Sequence, residues 1–120
     1  MEIIENIRKD LEEKLKSIMN REVEDIYEKV EGFIGKIFDK YEDIDNIESS
    51  GGIVMYNFQD SDVYASVLDY FFTFVDGKEY LVSIYLLYTQ GEKADILHGY
   101  KVEVYEVEEV EEFEEGREEE

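Results

Sequence analysis

Val63-Tyr64-Ala65-Ser66-Val67-Leu68-Asp69-Tyr70-Phe71-Phe72-Thr73-Phe74-Val75, then Asp76-Gly77, then Lys78-Glu79-Tyr80-Leu81-Val82-Ser83-Ile84-Tyr85-Leu86-Leu87-Tyr88-Thr89-Gln90: two long runs of β-branched and aromatic residues flank one turn pair. Asp-Gly favours a two-residue type I′ turn, so the stretch predicts an antiparallel hairpin with Val75 opposite Lys78. That register puts Val67, Phe71, Val75, Tyr80, Val82, Ile84 and Leu86 on one face. Tyr64, Leu68, Tyr70, Phe72, Phe74, Leu81, Tyr85 and Leu87 fall on the other. Both faces are then apolar, whereas a sheet covered on one side alone is polar on the other. Either helices split across the sheet, or the aromatic face meets a second copy or a partner. A homodimer through Tyr70, Phe72, Phe74, Leu81 and Tyr85 is the expectation.

Before the hairpin the apolar period changes. Ile3, Ile4, Ile7, Leu11, Leu15, Ile18 and Met19 recur at helical spacing, and the pattern resumes at Val23, Ile26, Tyr27, Val30, Phe33, Ile34, Ile37, Phe38 and Tyr41. Asn20 is a candidate cap between them, and Gly32 and Gly35 weaken the second helix. The polar stretch Glu42 to Gly52 reads as a helix-to-sheet connection, followed by a first strand at Ile53–Phe58 and a turn at Gln59–Asp62. After the Gly91 to Gly99 loop, Ile96-Leu97 and Tyr100–Tyr105 supply a fourth strand. The fold class expected is α+β, two N-terminal helices followed by a four-stranded antiparallel meander, in a single domain over residues 1–111 with a flexible acidic tail at 112–120.

The 120 residues are 43% hydrophobic and include no cysteine, which allows a packed core and excludes disulfides and thiolate metal sites. The charged, interrupted N-terminus lacks a signal-peptide core, and no apolar run is long enough to span a bilayer, so a cytoplasmic protein is expected. Charge is the outlying property: 33 acids and 12 bases leave −21. Abundant Glu with Lys and no Cys also resembles the composition of proteins from very hot environments. A field of this sign disfavours nucleic acid and anionic membranes as partners and speeds encounter with cationic ones. Residues 42–76 hold 8 acids and no base, and residues 102–120 hold 11 acids and one base, so the excess sits in two blocks. Asp43, Asp45, Glu48, Asp60, Asp62, Asp69, Glu103, Glu106, Glu108 and Glu109 are the candidate partner-binding carboxylates.

Catalytic chemistry finds little support. His98 is the one histidine, in a glycine-flanked loop, and no nucleophile and base can be paired. Among so many acids, neighbouring carboxylates carry no information about acid–base work. Asp43 to Glu48 and Asp60-Ser61-Asp62 offer oxygen ligands, but neither has the central glycine and closing glutamate of a calcium loop. Ser49-Ser50-Gly51-Gly52 lacks the lysine of a phosphate loop. No enzyme activity, metal or cofactor is expected.

The run Leu68-Asp69-Tyr70-Phe71-Phe72-Thr73-Phe74-Val75-Asp76-Gly77-Lys78-Glu79-Tyr80-Leu81-Val82 and the segment Tyr100-Lys101-Val102-Glu103-Val104-Tyr105, behind an amphipathic N-terminus, resemble a family of small acidic anti-CRISPR proteins from rod-shaped viruses of hyperthermophilic archaea. The resemblance covers about two thirds of the chain as a pattern; the segment 42–62 and the glutamate-rich tail lie outside it. It implies an acidic, dimeric α+β protein that acts in the host cytoplasm and binds the large subunit of a CRISPR interference complex. Such effectors hold nucleic acid in basic channels, which clustered carboxylates can occupy as a nucleic-acid mimic. An inhibitor of a basic nucleic-acid-binding protein is therefore the first expectation. The alternatives are an oligomerising assembly protein whose charge serves solubility, and a metal-dependent hydrolase.

Overall fold

The computed structural model describes residues 2–107. Helix α1 spans Glu2–Ser17 and helix α2 spans Ile26–Lys40. Ile4, Ile7, Leu11 and Leu15 form the buried stripe of α1; Ile26, Val30, Phe33, Ile34 and Ile37 form that of α2. Asp25, not Asn20, caps α2, its carboxylate accepting the Tyr27 and Glu28 N–H groups. Asn20 instead takes a left-handed turn (φ 60°) and donates its N–H to the Leu97 carbonyl. That turn feeds the two-residue strand β1, Glu22–Val23. Val23, expected on the second helix, is drawn out of it by sheet pairing with Asp95.

The sheet has five antiparallel strands rather than four, in the order β1-β5-β4-β3-β2, with β2 Ile44–Asn57, β3 Val63–Phe74, β4 Glu79–Gln90 and β5 Asp95–Glu106. β2 begins nine residues before the expected Ile53 because Ile44, Asn46, Ile47 and Glu48 pair along β3, and that ladder outweighs the turn-prone composition of the segment. Three register shifts bend β2, and Gly51 (φ 100°) occupies one of them, a conformation that L side chains adopt only under strain. β5 is continuous where a loop was expected, its one irregularity falling opposite Leu87 and Tyr88.

The hairpin turn corrects the register by one residue. Phe74, not Val75, faces Lys78 across a three-residue loop, with the Phe74 N–H donated to the Lys78 carbonyl and the Gly77 N–H to the Phe74 carbonyl. Gly77 at φ 91° supplies the left-handed third position such loops need, and the Asp76 carboxylate accepts the Lys78 N–H. A one-residue slip swaps the two faces of β4 relative to those of β3. Tyr64, Ser66, Leu68, Tyr70 and Phe72 now lie opposite Tyr88, Leu86, Ile84, Val82 and Tyr80.

This face packs against both helices, so neither helix crosses to the other side, and their side chains share one core with Phe74, Leu97 and Val102. Tyr70, Phe72 and Phe74, expected at a dimer surface, are therefore core residues covered by the chain's own helices. Leu81 and Tyr85 lie half-buried on the opposite, outer face. The Tyr27 hydroxyl donates to Ser66 Oγ at 2.8 Å and stands 2.7 Å from the Tyr88 hydroxyl, carrying polar groups into this core as a paired cluster. The Asp95 carboxylate, also buried, accepts the Ile26 N–H at 2.8 Å and ties the start of α2 to β5. Lys40 and Tyr41 both donate to Asp10, joining the end of α2 to α1.

Candidate functional site

Antiparallel strands of nearly equal length bring their alternate ends together, and here that places charge. The start of β2, the β3–β4 loop and the end of β5 meet at one end of the sheet: Ile44 pairs with Phe74, Thr73 with Glu79, and Tyr80 with Glu106. Val75 donates its N–H to the Asp43 carbonyl, and Val107 donates to the Glu79 carbonyl. Glu42, Asp43, Asp45, Asp76, Glu79 and Glu106 are all exposed there, with Lys78 the base among them. Like charges grouped on one exposed end of the sheet favour the approach of a cationic partner over an anionic one.

The outer face of the sheet is mixed. Ala65, Val67 and Phe71 of β3 stand beside Leu87, Tyr85 and Leu81 of β4, while Asp69 pairs with Ser83 and Thr73 with Glu79. Ser83 donates to Asp69 at 2.7 Å, and the next strand sets Glu103 beside Ser83. Glu103 is held by Lys101 at 2.7 Å and by the Tyr105 hydroxyl, and these two contacts keep its carboxyl below the ordinary range. The same contact pushes the Tyr105 hydroxyl up to about 12. Of these two outer-face carboxylates, Glu103 is thus paired with a cation of its own strand, while Asp69 is held by a neutral hydroxyl. Beside them lies an apolar cleft of about 280 Å³ lined by Met55, Ala65, Tyr85, Leu87 and Gly99.

The expected partner-binding set is divided by this topology. Asp43, Asp45 and Glu106 come together at the hairpin end. Glu48, Asp69 and Glu103 lie along the outer face. Asp62 stands at the opposite end of the sheet, where its carbonyl accepts the Gln90 N–H, roughly 40 Å away along the strands at about 3.3 Å per residue. The backbone of Asp60 belongs to the short turn Phe58–Asp60 at that same far end, while its side chain, like Glu108, Glu109 and the tail at 112–120, lies outside the described residues. Reasoning from sequence placed Glu42 and Asp76 in the acidic block 42–76 without singling them out and missed Glu79; the hairpin and the strand ends were the signal that could have found them. Among the described residues no three carboxylates or imidazoles converge as metal ligands, and no helix is long and apolar enough to cross a membrane. His98 sits on the surface with Nε2 against Thr89 Oγ1.

A further surface feature is the free edge of β2. Ile53, Val54, Met55 and Tyr56 are 65%, 51%, 56% and 56% exposed, and Phe58 follows in the turn. The helices cover Ile44 at the start of the strand and leave this half bare. Comparisons with protein-family models, with curated proteins and with solved structures find no match to this chain.

Proposed function

We propose that the chain is a non-catalytic acidic inhibitor that presents carboxylates to a basic, nucleic-acid-binding protein surface, with a CRISPR effector subunit as the partner that the sequence resemblance suggests. The observation that carries the reading is the convergence of Glu42, Asp43, Asp45, Asp76, Glu79 and Glu106 at one end of the sheet. Sequence blocks that lie far apart along the chain are joined there into one exposed anionic surface. Glu108 and Glu109 follow directly in sequence from that end. A row of carboxylates a few ångströms apart can replace phosphates in a basic channel, which gives the inhibitor its mode of action without a cofactor.

The test is competition: the chain is titrated into a CRISPR effector complex carrying labelled nucleic acid, and released nucleic acid is measured across a salt series. Release is expected at low salt and is lost when the six carboxylates are replaced by their amides. The control neutralises Glu13, Glu22, Glu24, Glu28, Glu31 and Asp39, six exposed positions near or on the helices. Equal loss in both variants would reduce the effect to bulk charge and remove the site.

The outer face favours a second reading, an assembly protein. Phe71 and Tyr105 are exposed there beside Leu81, Tyr85 and the apolar cleft, so a homodimer formed through this face rather than through Tyr70, Phe72 and Phe74 would cover them. Association that is insensitive to salt and abolished by Phe71→Glu would favour that reading.

A further inference from the structure

β2 is the last strand of the sheet, and among the described residues no strand lies beside its outer backbone groups. Exposed edges are normally guarded by lysine, proline, very short length or β-bulges, and of these β2 has only its three register shifts. It is 14 residues long, and the chain contains no proline and no base between Lys40 and Lys78. Ser49 to Phe58 is a run without any charge in a chain carrying −21, and its apolar side chains are more than half exposed from Ile53 to Tyr56. Charge returns on both sides: Asp43, Asp45 and Glu48 precede the run, and Asp60 and Asp62 follow it. The strand is acidic over its first residues and apolar after them; it ends at Asn57, and beyond that end Asp62 stands exposed just before β3.

We infer that the β2 edge accepts an extended segment of the basic partner by strand addition, and that the segment has an apolar, β-forming centre with basic residues at both ends. The inference rests on the reading of the chain as an acidic protein with a basic partner and names how that partner is gripped. Backbone hydrogen bonds to this edge supply the affinity, and the exposed Ile53, Val54, Met55 and Tyr56 supply apolar contacts, the irregularity between Val54 and Tyr56 interrupting their alternation between faces. The flanking carboxylates select the ends. The edge from Glu48 to Asn57 spans roughly 30 Å at about 3.3 Å per residue, which sets the segment at about ten residues or more. A second copy fits this pattern poorly. Two-fold antiparallel pairing along Ser49–Asn57 would carry Asp45 and Glu48 of one copy toward the strand end beside which Asp62 of the other stands, like charge toward like charge.

The test uses the whole chain and three labelled peptides of about fourteen residues: Val, Thr, Ile and Tyr alternating between Lys-Arg ends, the same centre between Glu-Glu ends, and a Gly-Ser centre between Lys-Arg ends. Binding is read by fluorescence anisotropy at low and high salt, and the docking position by amide hydrogen exchange. The first peptide is expected to bind at least about tenfold more tightly than either of the others. It is expected to slow exchange across Gly52–Tyr56. Ile53→Lys combined with Met55→Lys, at side chains already exposed, should weaken it by about tenfold or more with the circular dichroism spectrum unchanged. Equal binding of the Gly-Ser peptide, or protection confined to other strands, overturns strand addition while leaving the acidic-inhibitor reading intact. A dimer by light scattering that this double variant splits into monomers also overturns it, because a second copy then owns the edge. Failure of every basic peptide to bind, together with failure of the nucleic-acid competition, removes both readings.

Discussion

Replacing Tyr70 by Phe tests whether the core is packed as described, because Tyr70 is the residue whose role changed most between sequence and structure. Its ring is 3% exposed, and its hydroxyl has no hydrogen-bond partner among the described residues. A hydroxyl moved from water to an apolar site without a partner costs roughly 1–3 kcal/mol, and Phe keeps the ring while removing that group. Tyr70→Phe is expected to stabilise the fold by about 1–2 kcal/mol, a rise in Tm on the order of 4–10 °C for a domain of this size. Burial, with a contribution from the Glu31 charge, raises the Tyr70 hydroxyl to about 12. The folded value lies above the unfolded one near 10, so the protonated form favours folding at every pH below about 10, and that contribution is lost as pH rises from there toward 12. Urea denaturation at pH 7 and pH 11 measures both effects. The stabilising difference should be larger at pH 11, because the wild-type chain then loses a term that the variant never had. If Tyr70→Phe destabilises the fold at pH 7 by more than about 0.5 kcal/mol, the hydroxyl is satisfied in solution and the unpaired-core argument is refuted.

Phe72 is fully buried beneath the helices, so Phe72→Ala should cost about 3–5 kcal/mol by equilibrium unfolding, where a dimer-surface role would leave monomer stability nearly unchanged. Asp95→Ala strands the buried Ile26 N–H and should cost about 1.5–3 kcal/mol, with hydrogen exchange fastest at the first turn of α2. Burial raises the Asp10 carboxyl, but hydrogen bonds from Lys40 and Tyr41 outweigh it and hold the group below its ordinary value. Its contribution is present above about pH 4 and lost as pH falls through the depressed folded value. Urea midpoints for wild type and Asp10→Asn should therefore converge as pH is lowered from 6 to 2.

How much of this was legible in advance differs by element. The helical period from Ile3 to Tyr41 located two helices, and Asp76-Gly77 located the hairpin. The register was not legible from that pair, because Asp-Gly suits both a two-residue turn and the last two positions of a three-residue loop. The faces held the missing signal: only the observed register sets Asp69 against Ser83 and Thr73 against Glu79 while gathering Tyr70, Phe72, Tyr80 and Val82 together. The first half of β2 was hidden by Glu42 to Gly52, whose residues signal a turn locally and form a strand through pairing with β3.

For the candidate site, sequence alone determined that the excess charge lies in two blocks and that Ser49 to Phe58 carries none. Composition and local order are properties of neighbouring residues, and a linear reading captures them. Tertiary structure alone decided that Glu42, Asp43 and Asp45 meet Asp76, Glu79 and Glu106, and that Asp60 lies at the far end. It also decided that the uncharged run forms the open edge of the sheet. Those placements depend on which strand ends coincide and which strand is last, and the energy that selects them comes from pairing and burial between residues distant in sequence.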